Sequence, residues 1–96
     1  MRNSNEQTLK QVIKQMLKAN NLEDKLYEVE LLNSWRKLMG KVVNNHTTDA
    51  YIKGKTLFVH LDSASLRQEL YYNRTRMVEM LNEDVGHPVI NEVVLK

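Results

Sequence analysis

The sequence predicts a small α+β domain in the order helix, helix, strand, strand, helix (with a break), strand. Three observations carry this. Apolar residues recur at helical spacing from Leu9 and again from Leu26. Residues 51–61 alternate about a Gly54–Lys55 turn, as a β-hairpin does. After Gly86 and Pro88 the tail VINEVVLK is rich in β-branched residues and reads as a third strand.

The first five residues, MRNSN, read as a frayed, disordered terminus of one domain spanning 1–96. Leu9, Val12, Ile13, Met16 and Leu17 then form the apolar stripe of an amphipathic helix, with Lys10, Lys14 and Lys18 on its other side. Those lysines read as a solvated face; the alternative is a strip for phosphates. Asn20 and Asn21 end the helix, and Asn21 is placed to cap the next one, whose first turn holds Glu23 and Asp24.

The second helix carries Leu26, Val29, Leu32, Trp35, Leu38 and Met39 on one stripe. Gly40 poses a choice. A glycine inside a helix costs about 1 kcal/mol against alanine, which favours a stop at Met39. The apolar register nevertheless runs on through Val42 and Val43 to about Asn45, and we expect the helix to follow it. On that expectation Gly40 admits a close backbone neighbour. Trp35, the single tryptophan, is expected as a core anchor with its indole N–H near the surface; the other reading makes it an exposed contact for a partner.

Tyr51 and Ile52 lead into the hairpin turn, and Leu57, Val59 and Leu61 alternate with Phe58 and His60 beyond it. Asp62, Ser63 or Ser65 can cap the third helical region, Ser65 with Gln68 at capping-box spacing. Leu66, Leu70, Met77, Val78 and Leu81 share one stripe there, and Asn73-Arg74-Thr75 marks a weak point where two helices meet. Two adjacent strands, a crossover helix and a third strand suggest a three-stranded sheet with helices on one face.

Composition bounds the function. Hydrophobic residues are 42% and charged residues 27%, with a net charge of +2, so the chain folds and its mild basic excess permits nucleic-acid binding without demanding it. Without cysteine there is no disulfide framework and no thiolate metal site, a composition compatible with the cytoplasm. No run approaches the roughly 20 apolar residues of a membrane span. His46, His60 and His87 lack partners at metal-ligand spacing, and no cofactor motif is present. The serines of DSAS (62–65) have no nucleophile frame around them, so an enzyme is not expected.

One basic constellation remains. Lys53 and Lys55 flank the hairpin turn, Arg67 lies early in the third helix, and Arg74 and Arg76 stand near its break beside Tyr71 and Tyr72. Arginine next to tyrosine suits phosphate contact combined with base stacking on a single strand. The plainer alternative is solvated arginines and tyrosines packed at the core edge.

Several short motifs occur in order: W-x-x-x-x-G at Trp35–Gly40, V-x-x-H-T at Val43–Thr47 and G-K-T-L-x-V at Gly54–Val59. D-S-A-S-x-x-Q-E-L at Asp62–Leu70 and M-x-x-x-L-N at Met77–Asn82 follow. In this order the chain resembles the DciA-like family of small bacterial proteins over roughly residues 8–95. The resemblance implies a KH-like fold, no enzymatic activity, no cofactor, and a role in DNA replication through the helicase DnaB. It also implies single-stranded DNA as a partner, with an RNA-binding KH-like module or a protein-only interaction module as alternatives. A KH-like placement puts the nucleic-acid loop at YNRTR, residues 72–76, which holds no glycine, so Arg74 and Arg76 would supply charge in place of a glycine-built cradle. Longer relatives carry a further segment; in this chain, ending at Lys96, helicase contact would fall to the domain itself.

Overall fold

The computed structural model describes the backbone of residues 2–96 and the side chains from Thr8 onward. Helix α1 spans Arg2–Ala19 and α2 spans Glu23–His46. Strands β1 (Thr47–Lys53) and β2 (Thr56–Leu61) follow, then α3 (Ala64–Tyr71), α4 (Arg74–Val85) and β3 (Glu92–Leu95). The α+β order is the expected one, with the break between α3 and α4 at Tyr72–Asn73. Of the stretch expected to be frayed, Met1 lies outside the described residues, and the backbone is helical from Arg2.

The sheet order is β1-β2-β3. β1 and β2 are antiparallel, with Tyr51 opposite Phe58 and Lys53 opposite Thr56. β2 and β3 are parallel, with Thr56 opposite Glu92 and Phe58 opposite Val94. Because successive side chains on a strand alternate between faces, Leu57, Val59 and Leu61 enter the core while Thr56, Phe58 and His60 lie on the other face. The core joins those leucines and valine to Leu31, Trp35 and Val43 of α2, to Met77 and Leu81 of α4, and to Val89, Ile90 and Val93.

α2 departs from its expected form in two ways. Its buried face carries Leu31, Ser34 and Trp35, whereas Val29 and Val42 are exposed. The face is therefore turned slightly from the predicted stripe. At Gly40 the backbone takes φ 83° and ψ 176°, outside the helical region, so the helix breaks there and restarts. A Cβ at Gly40 would meet open space, so close approach by another backbone is not its purpose. Its purpose is a conformation that essentially only glycine adopts. Asn44 Nδ2 reaches back across the break to donate to Arg36 O (2.6 Å), occupying a carbonyl at the end of the first segment.

Other local choices follow capping chemistry. Asn21 takes the left-handed conformation (φ 58°) that closes α1, and the residue before α2, Leu22, supplies no side-chain cap. Ser63, rather than Ser65, caps α3 by accepting from Leu66 N (3.3 Å). Gly86 closes α4 at φ 80°. The loop beyond it is held by Asn82, whose Oδ1 accepts from Val89 N (3.1 Å) and Ile90 N (3.2 Å) while Nδ2 donates to Ile90 O (2.7 Å).

The stripe of α1 is left largely uncovered. Leu9 and Met16 are 62% and 60% exposed, and Val12 and Ile13 are also exposed. Among the described residues no helix is long and apolar enough to cross a membrane.

Candidate nucleic-acid interface

The predicted basic residues separate into two kinds. Two of them are committed to the fold. Arg67 donates to Leu61 O (3.0 Å), fixing α3 to the end of β2, and Lys55 donates through Nζ to Pro88 O (3.2 Å), fixing the hairpin turn to the loop before β3. Residue type announces neither bond, because both acceptors are main-chain carbonyls, one at the end of β2 just before α3 and the other brought up by the distant loop before β3.

Arg74 and Arg76 gather at the α3–α4 turn, while Lys53 stands apart on β1. The break in the helix puts Tyr71 and Tyr72 at the end of α3 and Arg74 at the start of α4, so all three project from one knuckle. The Arg74 guanidinium lies 3.8 Å from the centre of the Tyr71 ring, and its Nε donates to Tyr71 O (3.0 Å). The Tyr72 ring meets Tyr71 edge-on at 5.6 Å and is itself 77% exposed. Arg76 pairs with Glu79 one turn along α4 (3.2 Å). No side chain caps the first turn of α4. Its early N–H groups therefore face the knuckle.

Beside the knuckle runs an open cleft of about 260 Å³ between α4 and the start of β3. It is lined by Arg74, Thr75, Val78 and Glu79 on one side and Asn91, Glu92 and Val93 on the other. The hairpin turn approaches the same strand start, since Asn91 N donates to Lys55 O (2.8 Å). Lys53 is exposed on β1, at the other edge of the sheet from β3. The cleft is thus not uniformly basic: Glu79 and Glu92 share it with Arg74, and Arg76 offsets Glu79. Cation, stacked ring and exposed ring suit contact with a flexible anionic chain that presents flat bases.

Trp35 is 1% exposed and packs in the core, so the alternative reading of an exposed partner contact does not hold. The expected position of the indole N–H is corrected, because Nε1 is buried and has no hydrogen-bond partner. Trp35 forms part of the wall of a second cleft of about 470 Å³, with Leu32, Arg36, Asn44 and residues 47–50. The three histidines have structural surroundings. His46 Nδ1 pairs with Asp62 (2.6 Å), His87 stacks on Tyr27 (4.0 Å between ring centres), and His60 lies beside Tyr51 (5.8 Å). Among the described residues, no three acidic, histidine or cysteine side chains gather to hold a metal ion.

The motifs of the sequence therefore have physical content: His46 and Asp62 close the open end of the hairpin, Ser63 caps α3, and Asn82 latches the last loop. No curated protein and no solved structure matches the chain. The model of one family, described as Dna[CI] antecedent, DciA, matches residues 8–95. The chain belongs to this DciA family, which is associated with loading the replicative helicase DnaB in bacterial DNA replication.

Proposed function

We propose that this protein is a non-enzymatic, KH-like accessory factor of cytoplasmic DNA replication that contacts DnaB and holds single-stranded DNA at the α3–α4 knuckle. The observation that carries the DNA half is the grouping of Tyr71, Tyr72 and Arg74 beside the cleft, with Arg76 one turn along α4. The turn has no glycine, so phosphates are met by guanidinium groups and by the uncapped first turn of α4. The uncovered stripe Leu9-Val12-Ile13-Met16 supports the protein-contact half, since a run of exposed apolar side chains gains most from a partner.

Titration of labelled single strands over a range of salt tests the DNA half, because phosphate contacts release counterions and affinity must fall as salt rises. Tyr72→Ala and Arg74→Ala should each weaken binding by about 1–3 kcal/mol, the worth of a base stack. Lys55→Ala and Arg67→Ala should act mainly through stability. DNA and RNA strands of equal sequence, compared side by side, separate a replication factor from an RNA-binding module. Binding without a salt slope, or unaffected by Tyr72→Ala and Arg74→Ala, would remove the knuckle as the site. Capture of DnaB by the wild-type chain, lost in Ile13→Asp, tests the other half.

A further inference from the structure

We propose that this chain forms a symmetric dimer in which β1 pairs antiparallel with β1 of a second copy, centred on Tyr51. The inference goes beyond the function above and does not rest on it.

β1 stands at the edge of the sheet, hydrogen-bonded only to β2. Such an edge is a template for another strand unless something blocks it. The register irregularity lies between Thr47 and Asp49, which leaves Asp49–Lys53 regularly paired. Within that segment Ala50 N donates to the neighbouring Asp49 Oδ1 (2.9 Å) rather than into the ladder with β2. Ala50 is thereby marked as facing the open edge, and by the two-residue period so is Ile52.

An antiparallel strand centred on Tyr51 sets Ala50 opposite Ile52 of the second copy, and Ile52 opposite its Ala50. These are the edge-facing residues, so each pair exchanges both main-chain hydrogen bonds. The same register sets Asp49 opposite Lys53 of the second copy, twice by symmetry, and opposite charges directly across a ladder stabilise it. Asp49 gives up Ala50 N–H to the new strand and gains the lysine. Centring on Ala50 instead sets Lys53 opposite Thr47 and Asp49 opposite Tyr51, forfeiting both charge pairs. A parallel in-register pair brings like charges together. Of the registers that oppose unlike charges, the one centred on Tyr51 does so between Asp49 and Lys53, both within β1.

Both faces of the extended sheet are provided for. On the covered side Ala50 forms part of the 470 Å³ cleft with Leu32 and Trp35. The residue opposite Ala50 projects to the same side, so Ile52 of the second copy points toward that cleft. On the other face Tyr51 is 38% exposed and stacks on Phe58, with ring centres 5.2 Å apart. The two-fold axis places it next to its own copy and continues the aromatic row across the junction.

Sedimentation equilibrium of the full chain over a wide concentration range tests the proposal. The wild type should dimerise reversibly. Lys53→Asp and Asp49→Lys should each weaken the dimer by about tenfold or more, since each replaces two attractive pairs with two repulsive ones. The double variant, with the charges exchanged, should recover most of the loss. A monomeric wild type, or a double variant as weak as the single ones, overturns the proposal. Circular dichroism of all four proteins verifies that they fold. The chain has no cysteine, which permits a second test independent of charge. Tyr51→Cys should crosslink chain to chain on mild oxidation, because it lies opposite itself at disulfide distance. Lys53→Cys, displaced from its own copy, should not, and equal crosslinking of the two overturns the register.

Discussion

Ser34 Oγ donates to Asp84 Oδ2 at 2.5 Å, joining a buried serine of α2 to the last turn of α4. Lys37 takes the other carboxylate oxygen at 2.8 Å. The two helices that cover the sheet are thus held together by one carboxylate with two donors. The Lys37 hydrogen bond, and then that of Ser34, hold the Asp84 pKa below its ordinary 3.8, against the opposing effect of burial. A depressed folded-state pKa contributes stability that is present above the unfolded value and lost as pH falls through the folded one. Asp84→Asn should therefore lower the melting temperature at neutral pH, with the gap to wild type narrowing below about pH 4. Thermal unfolding across that range checks it; a gap independent of pH would remove Asp84 ionisation as the cause.

Gly40→Ala separates conformational need from helix propensity. In a continuous helix the change would stabilise by about 1 kcal/mol. At φ 83° and ψ 176° it should instead destabilise by about 1–3 kcal/mol, even though a Cβ there would meet nothing. Urea unfolding gives the sign directly.

Asn82→Ala should cost about 2–3 kcal/mol. It leaves Val89 N, Ile90 N and Ile90 O without their side-chain partner in a partly buried loop. Asn82→Asp is the sharper variant, because a carboxylate keeps the two accepted bonds and loses the donor to Ile90 O. Its loss should be smaller than that of alanine, as read by denaturant midpoints.

Trp35→Ala should cost about 3–5 kcal/mol, as large-to-small changes in a packed core do. Trp35→Phe should cost about 1–2 kcal/mol, because it retains most of the ring volume and removes an N–H that is buried without an acceptor. Unfolding followed by circular dichroism compares them on equal terms. Equal losses would mean that the N–H has an acceptor in solution.

The residues show how far local chemistry carries. The hairpin was legible because Gly54 and the alternation of Leu57, Val59 and Leu61 act within a few residues of each other. The knuckle was legible for the same reason, Tyr71, Tyr72 and Arg74 being sequence neighbours at a weak helix point. Arg67 and Lys55 were not separable from Arg74 by sequence, since all three are cations on polar positions. Only the folded chain brings Leu61 O and Pro88 O to the first two.

What the sequence by itself determined is the element order and the set of apolar residues able to form a core, which rest on periodicity and short-range turn chemistry, and the family, which rests on the order and spacing of its motifs. What only the tertiary structure decided is where those elements face. The stripe of α1 has the same helical period as a buried one, yet Leu9 and Met16 remain largely exposed among the described residues. Gly40 keeps the apolar register on both sides while its backbone leaves the helix. Periodicity records which side chains share a face, but whether that face is covered depends on contacts between residues far apart in the chain.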